Sequence, residues 1–63
     1  MIEVIIAGAA GRMGKRLVRA AAASDEVVVG AAFERENHPL VGEDVGVASG
    51  IGALGVPISA SLH

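Results

Sequence analysis

Apolar residues along this chain fall into blocks of different period. Residues 2–7 (I-E-V-I-I-A) form a short β-branched run that ends at a glycine, and Val4, Ile5 and Ile6 fall on both faces of any strand built from it. A strand apolar on both faces reads as a buried member of a parallel sheet. Over residues 12–23 the period turns helical: Met13, Leu17, Ala20 and Ala21 project to one side, Arg12, Lys15, Arg16 and Arg19 to the other. The apolar set is expected to pack on the sheet and the basic set to face solvent. Ser24, Asp25 and Glu26 end the helix, and residues 27–33 (V-V-V-G-A-A-F) read as a second strand kept slim by Gly30 and Ala31. Two strands joined by a helix of this length predict a parallel βαβ unit with a right-handed crossover.

After Phe33 the pattern dissolves. Residues 34–55 hold five glycines (Gly42, Gly46, Gly50, Gly52, Gly55), a proline and no sustained period, which predicts a long loop. Loops of this length inside a domain are usually functional or disordered. Residues 56–59 (V-P-I-S) predict a third short strand, with Pro57 tolerable only at its start or at an edge. Ser59 or Ser61 would cap a following helix, for which there is no room before His63. The fold class expected is α/β, the N-terminal βαβ(β) part of a parallel sheet.

Composition narrows what such a unit can be. At 63 residues, 52% hydrophobic and a mean hydropathy of +0.59, the chain is too apolar for disorder and long enough for at most one small domain. It has no cysteine, and neither histidine, His38 or His63, has ligands at metal spacing, so neither a disulfide nor a zinc site is expected to supplement its small core. The missing support is expected to come from more protein. A net charge of −2 gives no reason to expect a nucleic acid or an anionic membrane as partner. The run before Gly11 lacks the basic flank of an export signal, and no apolar stretch approaches the roughly 20 residues of a membrane span. Absence of cysteine fits a reducing cytoplasm. The serines stand far from either histidine in sequence, without an elbow motif, so no nucleophile–base pair is expected.

The chemistry sits in Gly8-Ala9-Ala10-Gly11-Arg12-Met13-Gly14, directly between the first predicted strand and the predicted helix. That context makes the glycines a candidate phosphate-binding turn of Rossmann type. Gly8 would permit the tight turn off the strand, Gly11 would let backbone N–H groups approach a pyrophosphate, and Gly14 would let the helix pack close to the strand. The helix N-terminus would add unpaired N–H donors and a partial positive charge of about half a unit. The spacing is G-x-x-G-x-x-G rather than G-x-G-x-x-G, so the turn is a variant. Glu34 stands 20 positions after Gly14, where the fingerprint expects an acidic residue for the adenosine ribose. A carboxylate there accepts from ribose hydroxyls and repels a 2′-phosphate, whereas Arg35 has the fork that suits a phosphate. The pair predicts tolerance of both NADH and NADPH. Arg12 either reaches a phosphate or belongs to the solvated basic face.

The motifs V-I-I-A-G-A-A-G-R-M-G, G-A-A-F-E-R, H-P-L-V-G-E-D-V-G and I-G-A-L-G-V-P-I together resemble the N-terminus of the 4-hydroxy-tetrahydrodipicolinate reductase family, over essentially the whole chain. Arg12-Met13 within the turn is characteristic of that family. The resemblance implies hydride transfer from NADH or NADPH to a cyclic unsaturated dicarboxylate, in lysine (diaminopimelate) biosynthesis. It also implies a homotetramer whose subunits carry a Rossmann domain and a separate substrate domain. Gly8, Gly11, Arg12, Met13 and Gly14 would then line the pyrophosphate, with Glu34 and Arg35 at the adenosine ribose. Residues 1–63 correspond to part of that dinucleotide-binding domain, and the family's catalytic residues fall beyond them. The chain by itself is therefore expected to be inactive.

The same residues are compatible with two other readings. One is a non-catalytic, nucleotide-binding half-Rossmann module that associates with itself to cover its bare sheet. The other is a different user of the same turn, such as a sugar-nucleotide epimerase or a methyltransferase, disfavoured by Arg12-Met13 and the glycine-rich loop.

Overall fold

A computed structural model describes residues 1–61; the expectations for His63 lie outside them. The elements run β1 (Ile2–Ala7), α1 (Arg12–Ala22), β2 (Val27–Arg35), α2 (Val45–Ala48) and β3 (Ile58–Ser61). The three strands form one parallel sheet in the order β1-β2-β3. The expected βαβ unit is present, and β2 runs two residues further than its apolar pattern, so that Glu34 and Arg35 close the strand.

The core lies between one face of the sheet and the elements that cover it. Ile6, Val29, Ala32 and Ile58 from the strands meet Val18 and Ala21 of α1, Val45 of α2, and Ala9 of the first turn. Helix α1 buries Gly14, Val18 and Ala21. The predicted face was Met13, Leu17, Ala20 and Ala21, yet Met13 is 65% exposed and Leu17 48%. The inward arc is turned by about one position because it runs through Gly14, where only a glycine lets the helix approach the first turn. Strand β1 is likewise less covered than expected. Among the described residues it is an edge, with Ile6 buried and Ile2 and Ile5 exposed.

Strands β1 and β2 do not pair evenly. Val4 lies opposite Val29 but Ile5 lies opposite Ala31, leaving Gly30 as an extra residue on β2. This bulge switches the side-chain alternation, so Val29 and Ala32, three residues apart, both enter the core.

The second crossover is where the sequence reading needs the largest correction. Residues 34–55 are not a plain loop but turns, the one-turn helix α2, and a fold-back organised by Asp44. Oδ1 of Asp44 accepts from the N–H groups of Gly46, Val47 and Leu54, and Oδ2 from those of Gly55 and Val56, at 2.7–3.1 Å. One carboxylate thus serves as the cap of α2 and as a clasp on the segment entering β3. Asp44 also pairs with Pro57 in an antiparallel bridge, made by Val45 N–H to the Val56 carbonyl and Ile58 N–H to the Glu43 carbonyl, both 2.8 Å. The missing N–H of Pro57 is not needed there, and β3 begins one residue later.

Candidate functional site

The predicted site residues gather at the carboxyl ends of β1 and β2, where open α/β sheets receive their ligands. Chain direction reverses at Gly8, whose φ of +64° is a conformation a residue with a side chain rarely adopts. Ala9 follows, fully buried, its N–H donating to the Phe33 carbonyl at 3.0 Å, and Gly11 N–H closes the turn onto the Gly8 carbonyl at 3.0 Å.

Gly14 is the tightest position of the turn. A Cβ there would run into the Gly8 carbonyl oxygen and lie 2.7 Å from Ala9 Cα, both backbone atoms that cannot move aside. At Gly11 a Cβ would come within 3.3 Å of the Gly8 carbonyl oxygen, a closer approach than ordinary contact but a milder one. Gly11 is also the N-cap of α1, in extended conformation and with no side chain to bond the helix end. The first bond back from the helix is Lys15 N–H to the Gly11 carbonyl at 2.9 Å, so the N–H groups of Arg12, Met13 and Gly14 have no partner in the helix. No acidic side chain occupies the first turn. The arrangement is a set of open N–H donors beside the positive end of the helix dipole, with the exposed Arg12 side chain next to it, and it fits a pyrophosphate. Met13 is exposed at the same ledge.

Glu34 comes to this turn from the end of β2. Its Oε2 accepts from Ala10 N–H at 3.0 Å and its Oε1 from Arg35 N–H at 3.1 Å. These bonds, that of Ala10 foremost, hold the carboxyl below the usual glutamate range, and the charges of His38 and Arg35 act in the same direction. The Arg35 side chain is exposed beside it. His38 folds back locally, its Nδ1 accepting from Leu40 N–H at 3.1 Å.

Of the basic residues on α1, Arg12, Arg16 and Arg19 are exposed and Lys15 half-buried, and Arg19 is drawn to the second crossover rather than to the turn. Asp44, unremarked by motif reading, is the most heavily bonded side chain in the structure. Its signal was an aspartate immediately before an apolar tetrad and a glycine cluster, the composition of a capped turn.

Two concavities lie elsewhere. One, of about 310 Å³, runs along the open edge of β1 between Ile5, Leu17, Ala20 and Val27; the other, of about 210 Å³, lies at the opposite end of the strands around Met1, Val28 and Leu54. Both are lined mainly by apolar side chains, and neither brings together a row of open backbone N–H groups like that of the ledge. No helix among the described residues is long and apolar enough to cross a membrane, and no group of three or more metal-ligating side chains occurs among them.

A parallel β-α-β sheet with a glycine turn feeding an uncapped helix N-terminus defines the class: the N-terminal part of a Rossmann-type nucleotide-binding domain. Residues 2–63 match the family described as dihydrodipicolinate reductase, N-terminus, and the chain belongs to that family. It is 48% identical over 63 residues to the 4-hydroxy-tetrahydrodipicolinate reductase of Pelobacter propionicus, covering 100% of this chain and 24% of that protein. The reductase of the same name from Geotalea uraniireducens is 47% identical over 62 residues (98% and 23%), and that of Citrifermentans bemidjiense 44% over 63 residues (100% and 24%). The chain spans about a quarter of the length of the curated relatives it matches.

Proposed function

We propose that this chain is the dinucleotide-binding arm of a 4-hydroxy-tetrahydrodipicolinate reductase, holding the ADP half of NADH or NADPH for hydride transfer to a cyclic unsaturated dicarboxylate. The observation that carries the reading is the turn at residues 8–14, with its open Arg12, Met13 and Gly14 amides and the Glu34 carboxylate closing on it. In this reading the amides and Arg12 take the pyrophosphate, Gly8, Gly11 and Gly14 keep the backbone close to it, and Met13 lines its edge. Glu34 accepts from the adenosine ribose and Arg35 offers its guanidinium to a 2′-phosphate. The bound nicotinamide supplies the hydride. Its placement against the acceptor is work for the rest of such a reductase, so the 63 residues alone bind without turning over. The whole reductase would be a cytoplasmic homotetramer with a separate substrate domain.

Titrating the chain with NADH, NADPH and S-adenosylmethionine tests this. Saturable binding of the two nicotinamide dinucleotides, competed by ADP-ribose and absent for S-adenosylmethionine, is expected. Binding of S-adenosylmethionine alone would overturn it.

A second reading is a self-associating, non-catalytic half-domain. It is favoured by the open edge of β1 and the apolar groove beside it, surfaces that invite pairing. Sedimentation of the chain separates the two: association without dinucleotide binding favours the second reading, and a dinucleotide-binding monomer the first.

A further inference from the structure

Resting on the dinucleotide reading, we propose that Glu34 is a positioning residue for the pyrophosphate turn as well as a ribose acceptor, and that this second role makes cofactor choice and turn order depend on each other.

The glycine turn is attached to the end of β2 at two successive amides. Ala9 N–H bonds the Phe33 carbonyl, a main-chain link that continues the sheet pairing of Ala7 with Phe33. Ala10 N–H bonds Oε2 of Glu34, a side-chain link across 24 residues. Ala10 immediately precedes Gly11, from which α1 and its three open amides depart. Gly11 has no side chain and α1 no cap bond, so beside the Gly11 N–H to Gly8 carbonyl bond and the packing of Gly14, the Glu34 link is the side-chain restraint on the aim of those amides.

A carboxylate has about four lone-pair sites. Two are used, by Ala10 on one oxygen and Arg35 on the other, so each oxygen keeps capacity for a further donor. A ribose with free hydroxyls can donate there while the link to Ala10 stays in place. A 2′-phosphate cannot donate, and its charge repels the carboxylate at this range. Seating it requires Glu34 to swing away, which releases Ala10 N–H to the ligand or to solvent. NADH therefore binds a turn that stays latched, and NADPH one that has been unlatched.

The test has a part that needs no ligand. In the isotope-labelled chain, the Ala10 amide resonance should shift with pH as the Glu34 carboxyl titrates, and the shift should vanish in Glu34→Gln. An Ala10 amide indifferent to that titration overturns the latch. With ligands, NADH should leave the Ala10 resonance in its latched position and NADPH should move it; identical responses overturn the coupling.

Affinities supply the third comparison. Glu34→Ala removes both latch and charge, so NADH, which binds the latched turn, should weaken by about tenfold, the equivalent of one charge-assisted hydrogen bond, while NADPH, which binds the unlatched one, should not weaken. Glu34→Gln keeps an oxygen for Ala10 without the charge, so NADPH should bind at least as tightly as to the unsubstituted chain. If Glu34→Ala weakens NADPH as much as NADH, the NADPH complex is held by the same latch and the coupling fails. If the unsubstituted chain binds neither dinucleotide while Ala10 still titrates, the proposed function falls and the role of the latch in binding falls with it.

Discussion

Arg19 donates its Nε–H to the carbonyl oxygen of Ser49 at 2.9 Å, joining the basic face of the first helix to the middle of the second crossover. Three arginines and a lysine repeat along that face, and one of them is a tie between elements that sequence places 30 residues apart. The bond satisfies a carbonyl at the C-terminal end of α2, where a positive charge is favoured.

Replacing Arg19 by alanine should lower the unfolding free energy by about 1 kcal/mol, the usual net value of such a bond. Arg16→Ala, on an exposed neighbour, should change it by less than about 0.5 kcal/mol. Urea unfolding of the two variants decides whether Arg19 differs from a solvated charge.

Gly14→Ala should damage the fold and the proposed binding together. The new methyl group meets the Gly8 carbonyl and the Ala9 backbone, and overpacking of this kind costs about 1–3 kcal/mol, at the upper end where no neighbour can yield. Gly11→Ala, with its 3.3 Å approach, should unfold at higher denaturant than Gly14→Ala. Equal midpoints would show that helix approach at Gly14 is not the constraint.

The Asp44 carboxyl is held below the usual aspartate range, by the Leu54 N–H foremost and by those of Val47, Gly55 and Gly46. A carboxyl whose pKa is lowered by folding stabilises the native state above its unfolded value, near 3.9, and that contribution drains away as pH falls through the lower folded value. Thermal unfolding of the chain should therefore move to lower temperature as the pH drops below about 4, a shift to which Glu34 adds in the same sense. In Asp44→Asn the acid-side slope should flatten. The midpoint near pH 7 should also fall well below that of Glu36→Gln, because the amide NH2 would face the N–H groups of Gly55 and Val56, donor against donor. A slope unchanged in Asp44→Asn would remove Asp44 from this account.

Arg35→Ala should weaken NADPH more than NADH, since only the former carries a 2′-phosphate for the guanidinium to meet. Several-fold selectivity is expected, read from parallel titrations at one salt concentration. An equal loss for both dinucleotides would assign Arg35 no part in the choice.

Much of this architecture was legible in the chain because local rules and the fold agree. The β-branched run ending at Gly8, the glycine spacing and the apolar run reaching Phe33 each specify one outcome, and β1, the turn and β2 follow. The helix face was misplaced by about one position because a hydrophobicity pattern weighs Met13 and Leu17 above Gly14, while packing selects the residue without a side chain. Residues 34–55 carry no period because their order comes from one carboxylate and from glycines at positive φ, such as Gly42 and Gly55, rather than from an apolar stripe. The Glu34 latch was invisible for another reason: spacing can place an acidic residue near the ribose, but only coordinates reveal that it also reaches Ala10.

Gly30 finally acts on β2 as an inserted letter acts on a reading frame. Upstream of it the odd-numbered Val29 enters the core; downstream, the even-numbered Ala32 does, and Glu34, two further on, shares that side with the glycine turn. Were Gly30 to take an ordinary place opposite Ile5 instead of bulging, every later position would invert, presenting Phe33 and Arg35 where Ala32 and Glu34 now stand. A glycine four residues before the carboxylate thus determines whether the end of the strand offers an acid or a base to whatever sits on the ledge.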